Sequence, residues 1–333
     1  MGSLITENNI VLSADDKDTT LADRNTFATR VAGKGSDPEK KALFASVTKR
    51  IDYTPKFGTE LHGIKLSQLT EQQSEELAAL IAERGAVFFR DQDDLDYKEH
   101  VKLGKRWGPL HVHPLVPHSQ DNPEVIVLDS RLSPPSRFNT NDSWHSDVSF
   151  EPAPASFSIL KFEEIPEAGG DTIWSNGYQL YDDLSQPIKT LLEGLTATHS
   201  SDIFKVLTAT SGRKTFGKLN DSEHPVVRTN PVTGWKSVYV NPVFTREING
   251  LNPVESKWIL DYLADLVSKK LQYQIRVRVT VSGEKPFYDP KSGTQAEAWA
   301  VTAKAIVAKQ EAADKAAAEA KAGAQGTASS TAA

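Results

Sequence analysis

Short apolar runs bounded by Gly, Pro and Asn recur along this 333-residue sequence, and that rhythm restricts it to a mostly β architecture. Residues 86–90, 125–128, 155–162 and 172–174 read as strands, and 224–228 with 237–241 as a hairpin around Asn230-Pro231-Val232-Thr233-Gly234. Helical spacing is confined to a few segments. One follows Thr70, a good N-cap, with Leu77, Leu80 and Ile81 on its apolar face and Gly85 as its stop. A second carries Tyr97, His100, Val101, Leu103 and Trp107 and ends at Gly108-Pro109. Two more cover 178–184 and 187–195, and another covers 253–267 with Trp258, Leu260, Leu263 and Leu266 as its apolar members. Many short strands with peripheral helices predict a double-stranded β-helix of the jelly-roll type. Two facing sheets of that kind enclose a cavity where side chains from both can meet.

Composition divides the chain into three. Residues 1–45 are polar without a sustained period and predict a mobile arm; 46–290 form the domain; 291–333 are a low-complexity tail rich in Ala, Lys and Glu. Within the tail, 296–322 has strong helix propensity but no continuous apolar face, so a marginal, solvated helix fraying into disorder is expected. The formal net charge of −6 argues against a nucleic-acid or anionic-membrane partner. No cysteine is present, which excludes disulfides, a thiol nucleophile and Cys-ligated zinc, and fits a cytoplasmic setting. No apolar run is long enough to span a bilayer. Gly2 lies in the loose, common pattern for N-myristoylation. Association into a homo-oligomer is left open.

Chemistry concentrates in Trp144-His145-Ser146-Asp147-Val148-Ser149-Phe150. On an extended strand His145 and Asp147 leave the same face, which supplies two of the three ligands of a 2-His-1-carboxylate iron site. His-x-Asp alone is a common pattern, equally at home on a solvated surface strand. His111, His113 and His118 form the densest histidine cluster and offer a competing zinc reading.

Taken with Gly169-Gly170-Asp171-Thr172-Ile173-Trp174, His224-Pro225-Val226-Val227-Arg228 and Tyr239-Val240-Asn241, the His145 motif resembles the TauD/TfdA family of Fe(II)/2-oxoglutarate-dependent dioxygenases, nearest its taurine and sulfonate branch. The resemblance runs from about Gly58 to Tyr288. It implies Fe(II) on His145 and Asp147, 2-oxoglutarate as co-substrate with its distal carboxylate on Thr172, and O2. It places His113, Asn141 and Arg278 on the head of a small anionic substrate such as an alkylsulfonate, and Phe204 in a lid segment spanning 196–222. Hydroxylation at the carbon bearing the sulfonate would release sulfite and an aldehyde. Where the family's taurine enzyme has a Tyr, this chain has Val116, which suggests a different or more apolar sulfonate.

The resemblance breaks once. The family follows its Gln-Val-Arg strand with a Trp-Asp-Asn-Arg segment, the second iron-binding His and the 2-oxoglutarate-binding Arg. Here Tyr273-Gln274-Ile275-Arg276 runs almost directly into Arg278-Val279-Thr280, and the last histidine of the chain is His224. An internal deletion near 276–278 is therefore expected, leaving an incomplete jelly roll without the third iron ligand or the co-substrate Arg. The alternative to a sulfonate dioxygenase is a non-catalytic, mis-spliced or truncated remnant that binds anions or full-length subunits.

Overall fold

The computed structural model describes residues 10–11, 13–14, 19–128, 143–164, 167, 172–269, 279–305, 307–308, 312 and 315. The Gly2 pattern, Asn141 and Arg278 lie outside them.

A first unit precedes the histidine cluster. Strand β1 (Ile10–Val11) leads to helix α1 (Lys41–Ala45), then β2 (Lys49–Asp52), β3 (Thr59–His62), α2 (Glu71–Arg84), β4 (Val87–Phe89) and α3 (Tyr97–Trp107). β3 is central, antiparallel to β2 and parallel to β4, with α2 as the crossover. Helix α2 starts and stops where the sequence says it should. The Thr70 hydroxyl accepts from the Gln73 amide, the Gln73 side chain accepts from the Thr70 amide, and Gly85 ends the helix at φ 72°. Asp96 caps α3 by accepting from Lys98 and Glu99. Leu61, Leu77, Leu80, Leu103 and Trp107 pack as one core between these elements.

The second unit holds β5 (His118–Ser119), β6 (Ala155–Ile159), α4 (Gly177–Asp182), α5 (Gln186–Leu192), β7 (Thr196–Ser200) and α6 (Asp202–Ser211). It continues with β8 (Asp221–Pro225), β9 (Val227–Thr229), β10 (Lys236–Val238), β11 (Thr245–Ile248), α7 (Pro253–Lys269) and β12 (Val279–Ser282). β7 lies between β11 and β8; β9 pairs with β10, β6 with β12, and β1 with β5. Leu192, Ala197, Val226 and Val227 are fully buried beneath α7. Mostly short strands and peripheral helices are thus present, in several small sheets.

Several sequence expectations need correction. Residues 125–128 contribute one isolated bridge, Ile126 to His118, and no strand. Residues 172–174 also form no strand. The expected lid over 196–222 is split: 196–200 is the central strand β7, and only α6 overlies the aromatic residues at the site. Its Thr/Ser-rich composition hid the buried alternation of β7, where Ala197 and His199 face inward. On α7, Trp258 is 63% exposed, while its neighbour Ile259 is buried. An amphipathic helix has room for one apolar stripe, and Ile259 and Leu263 occupy it.

Parts of the arm over 1–45 are tied down. Ile10 and Val11 pair with Ser119 and His118. Asn25 clamps Val112 in both directions, donating to its carbonyl at 2.9 Å and accepting from its amide at 2.8 Å. Ala22, Ala32 and Leu43 are buried, so a few small and apolar residues anchor a segment that is polar on average.

Beyond residues 270–278 the chain returns to the body. The Gly283 amide donates to the Pro154 carbonyl at 2.8 Å, Arg228 pairs with Glu284, and Thr229 donates to the Phe287 carbonyl. The expected tail from 291 begins docked: Gln295 is fully buried and donates to the Lys56 carbonyl. Residues 295–305 are helical and exposed from 301.

Candidate active site

The His145–Asp147 pair does not sit on a strand. Residues 143–146 are irregular and 147–150 form a turn in which Val148 adopts φ 48°. A left-handed β-branched residue is costly, and it persists because Val148 is buried against Phe150 and Phe244. The turn does what a strand was expected to do: His145 Nε2 stands 3.3 Å from Asp147 Oδ1.

Contacts among the described residues orient the pair. The Ser143 carbonyl, an obligatory acceptor, takes a 2.7 Å hydrogen bond from His145 Nδ1. Nδ1 therefore carries a proton, and Nε2 is the ring nitrogen turned toward Asp147. The Ser158 hydroxyl of β6 donates to Asp147 Oδ2. This tautomer and carboxylate support are what a metal-binding His and Asp require. Adjacent ligands of an octahedral ion lie about 3 Å apart, so the observed separation suits one coordination edge. His145 is 42% exposed and Asp147 18%, so solvent reaches the pair.

All eight histidines are among the described residues, yet no group of three or more His, Asp and Glu side chains there could hold a metal ion. None of the other histidines converges with His145 and Asp147 among the described residues. His224 Nε2 donates to the Glu151 carbonyl at 2.9 Å, and His118 Nδ1 to the Ser119 carbonyl. His111 Nε2 lies 3.4 Å from Glu151 Oε1. The zinc reading of His111, His113 and His118 has no converging geometry among the described residues.

His113 instead belongs beside the His145 pair. Its Nδ1 accepts from the amides of both Leu115 and Val116 at 3.0 Å, which leaves the proton on Nε2 as a donor. Its ring meets Phe204 at 5.1 Å; Phe204 meets Phe244 at 5.8 Å, and Phe244 meets His145 at 6.0 Å. His113 and His145 thus border one apolar cage completed by Phe150. Thr172 is half-buried in irregular chain.

Behind the cage lies a buried polar layer that sequence reasoning missed. Ser149 bonds both His199 Nδ1 at 2.9 Å and Asn241 at 3.0 Å, while Asn220 donates to Glu151 at 2.7 Å. Burial pushes His199 down to about 3 and His224 down to about 4, so both stay neutral and hold the turn in place. Period-two alternation on β6, with Phe157 and Ile159 on one face and Ser156 and Ser158 on the other, was the readable signal for Ser158.

Residues 49–281 match the pattern of the family described as "Taurine catabolism dioxygenase TauD, TfdA family". The chain belongs to the TauD/TfdA family. A Schizosaccharomyces pombe protein provisionally named an α-ketoglutarate-dependent sulfonate dioxygenase is 40% identical over 254 residues, covering 74% of this chain and 65% of that protein. The α-ketoglutarate-dependent sulfonate dioxygenase of Saccharomyces cerevisiae is 35% identical, over 68% of this chain and 57% of its own length. This chain therefore spans less than two thirds of either TauD/TfdA relative. Among solved structures, a taurine dioxygenase from Burkholderia xenovorans superimposes with a TM-score of 0.59 at 25% identity, over 75% of this chain and 93% of that one.

Proposed function

We propose that this TauD/TfdA chain is built on the site of an Fe(II)/2-oxoglutarate-dependent dioxygenase that hydroxylates a small organosulfonate to an aldehyde and sulfite. The observation that carries the reading is the oriented His145–Asp147 edge, with Nε2 and Oδ1 3.3 Å apart. The sulfonate dioxygenase names of the yeast relatives support the substrate class. Iron held on that edge would supply the oxidising chemistry, with 2-oxoglutarate and O2 consumed alongside the substrate. The chain's own part is binding and exclusion of water. His113 Nε2–H donates to the anionic head and Phe150, Phe204 and Phe244 line the apolar body; by family position Thr172 is assigned to the 2-oxoglutarate carboxylate, and Asn141 and Arg278 to the substrate head. A jelly-roll scaffold and a cytoplasmic setting go with this reading.

One observation favours the second reading, a non-catalytic remnant that binds anions or full-length subunits: no third ligand joins His145 and Asp147 among the described residues. Anaerobic titration with Fe(II) and 2-oxoglutarate separates the two. A weak visible charge-transfer band that disappears in His145→Ala supports the dioxygenase. A folded, soluble chain without that band leaves the remnant.

A further inference from the structure

We propose that Ser158 is a positioning residue for the metal edge: its hydroxyl fixes which oxygen of Asp147 faces His145. The proposal rests on the reading of His145 and Asp147 as metal ligands and adds a residue outside their motif. Asp147 lies in the 147–150 turn, and a carboxylate there can rotate to present either oxygen or both. Ser158 donates to Oδ2, while Oδ1 faces His145 Nε2. The carboxylate is thereby held for one-oxygen coordination at the edge.

Ser158 can impose this because its own backbone is fixed. It lies in β6, opposite Thr280 of β12 in an antiparallel ladder, and its neighbours Phe157 and Ile159 pack into the core from the other face. The hydroxyl passes the rigidity of a paired strand to a ligand borne on a turn. Ser143 does the same for His145 through a backbone carbonyl, which substitution at 143 cannot remove. Ser158, in contrast, is a partner whose hydroxyl mutagenesis can remove.

The test uses Co(II) alone with the full chain, read by visible absorption and by affinity, without turnover. Ser158→Thr keeps a hydroxyl, whereas Ser158→Val keeps that shape without one. Expected is wild-type-like Co(II) binding in the Thr variant and binding weakened about 10- to 100-fold, with an altered ligand-field spectrum, in the Val variant. Equal affinity and spectrum in the two variants would overturn the proposal. If the wild-type chain binds no Co(II), the metal reading of His145 and Asp147 fails and the proposal falls with it. Binding that persists unchanged in Asp147→Asn has the same meaning. Loss of stability shared by both variants does not disturb the comparison, because the pair differs only in the hydroxyl.

Discussion

The Tyr288 hydroxyl donates a 2.7 Å hydrogen bond to Glu193 Oε2, joining residues 95 positions apart. Tyr181 and Lys236 bond the other oxygen of the same carboxylate. Burial alone would raise the Glu193 pKa, but these three donors outweigh it and hold the carboxyl below its ordinary value. Tyr288, by burial and by its carboxylate partner, is pushed up to about 12. Tyr288→Phe should destabilise the chain by about 1 kcal/mol in urea unfolding. Glu193→Leu should cost more, because it strands three donors at once. Equal effects of the two substitutions would mean that this knot does not hold the C-terminal segment.

Acid sensitivity should begin above the carboxylate range. Burial lowers His100 and His224 to about 4 and His199 to about 3, against an ordinary value of 6.5. A histidine depressed in the fold takes up its proton on unfolding. Stability is therefore complete above pH 6.5 and declines as pH falls towards 4. Each such group contributes a slope of up to about 1.4 kcal/mol per pH unit. His100 Nε2 donates to the Ile159 carbonyl, and the amide of His100→Gln can do likewise without titrating. Urea midpoints between about pH 7 and about pH 5 should fall less steeply in that variant. An unchanged slope would place the His100 titration outside this window.

His113 should separate folding from recognition. Its Nδ1 satisfies two backbone amides, a task the Asn side-chain oxygen can take over but Phe cannot. His113→Phe should lose about 1–3 kcal/mol of stability, the cost of unsatisfied buried donors. His113→Asn should stay near wild type in stability yet bind small sulfonates more weakly, because no donor then reaches the cage. Sulfonate affinity, followed by calorimetry, is the deciding measurement.

Phe216 is fully buried; its amide donates to the Pro114 carbonyl, and its carbonyl accepts from Ala22. The His118 ring covers it at 4.5 Å. Phe216→Ala should therefore cost about 3–5 kcal/mol in urea unfolding. A loss under about 1 kcal/mol would show that the N-terminal arm does not depend on this side chain.

Local chemistry made much of the fold legible. Thr70 and Gly85 mark helix ends because capping and positive φ are decided within a few residues. The turn at Asn230–Gly234 was equally readable, since Asn230 Oδ1 accepts from Val232 and Thr233, but the hairpin pairs only Val227–Thr229 with Lys236–Val238, and His224 and Pro225 go to β8. Long-range partners decided the rest. β7 looks like a polar loop until β8 and β11 flank it, and His199 is buried by Ser149, His224 and Tyr239, all distant in sequence. At the site, the residue types of His145 and Asp147 were visible. The turn that brings them together was not, because it depends on Val148 holding a conformation that packing with Phe150 and Phe244 enforces.

The arm that pairs with 118–119 has a consequence for the order in which the chain can assemble. Ser13 bonds the Lys214 carbonyl and accepts from its amide, 201 residues further along. Ala22 and Asp23 meet Phe216 and Lys218. This arm therefore has to close loops of 201 residues to reach Lys214. Contacts in the α2–β4–α3 region are nearer in sequence, so that region is expected to form before the arm is fastened.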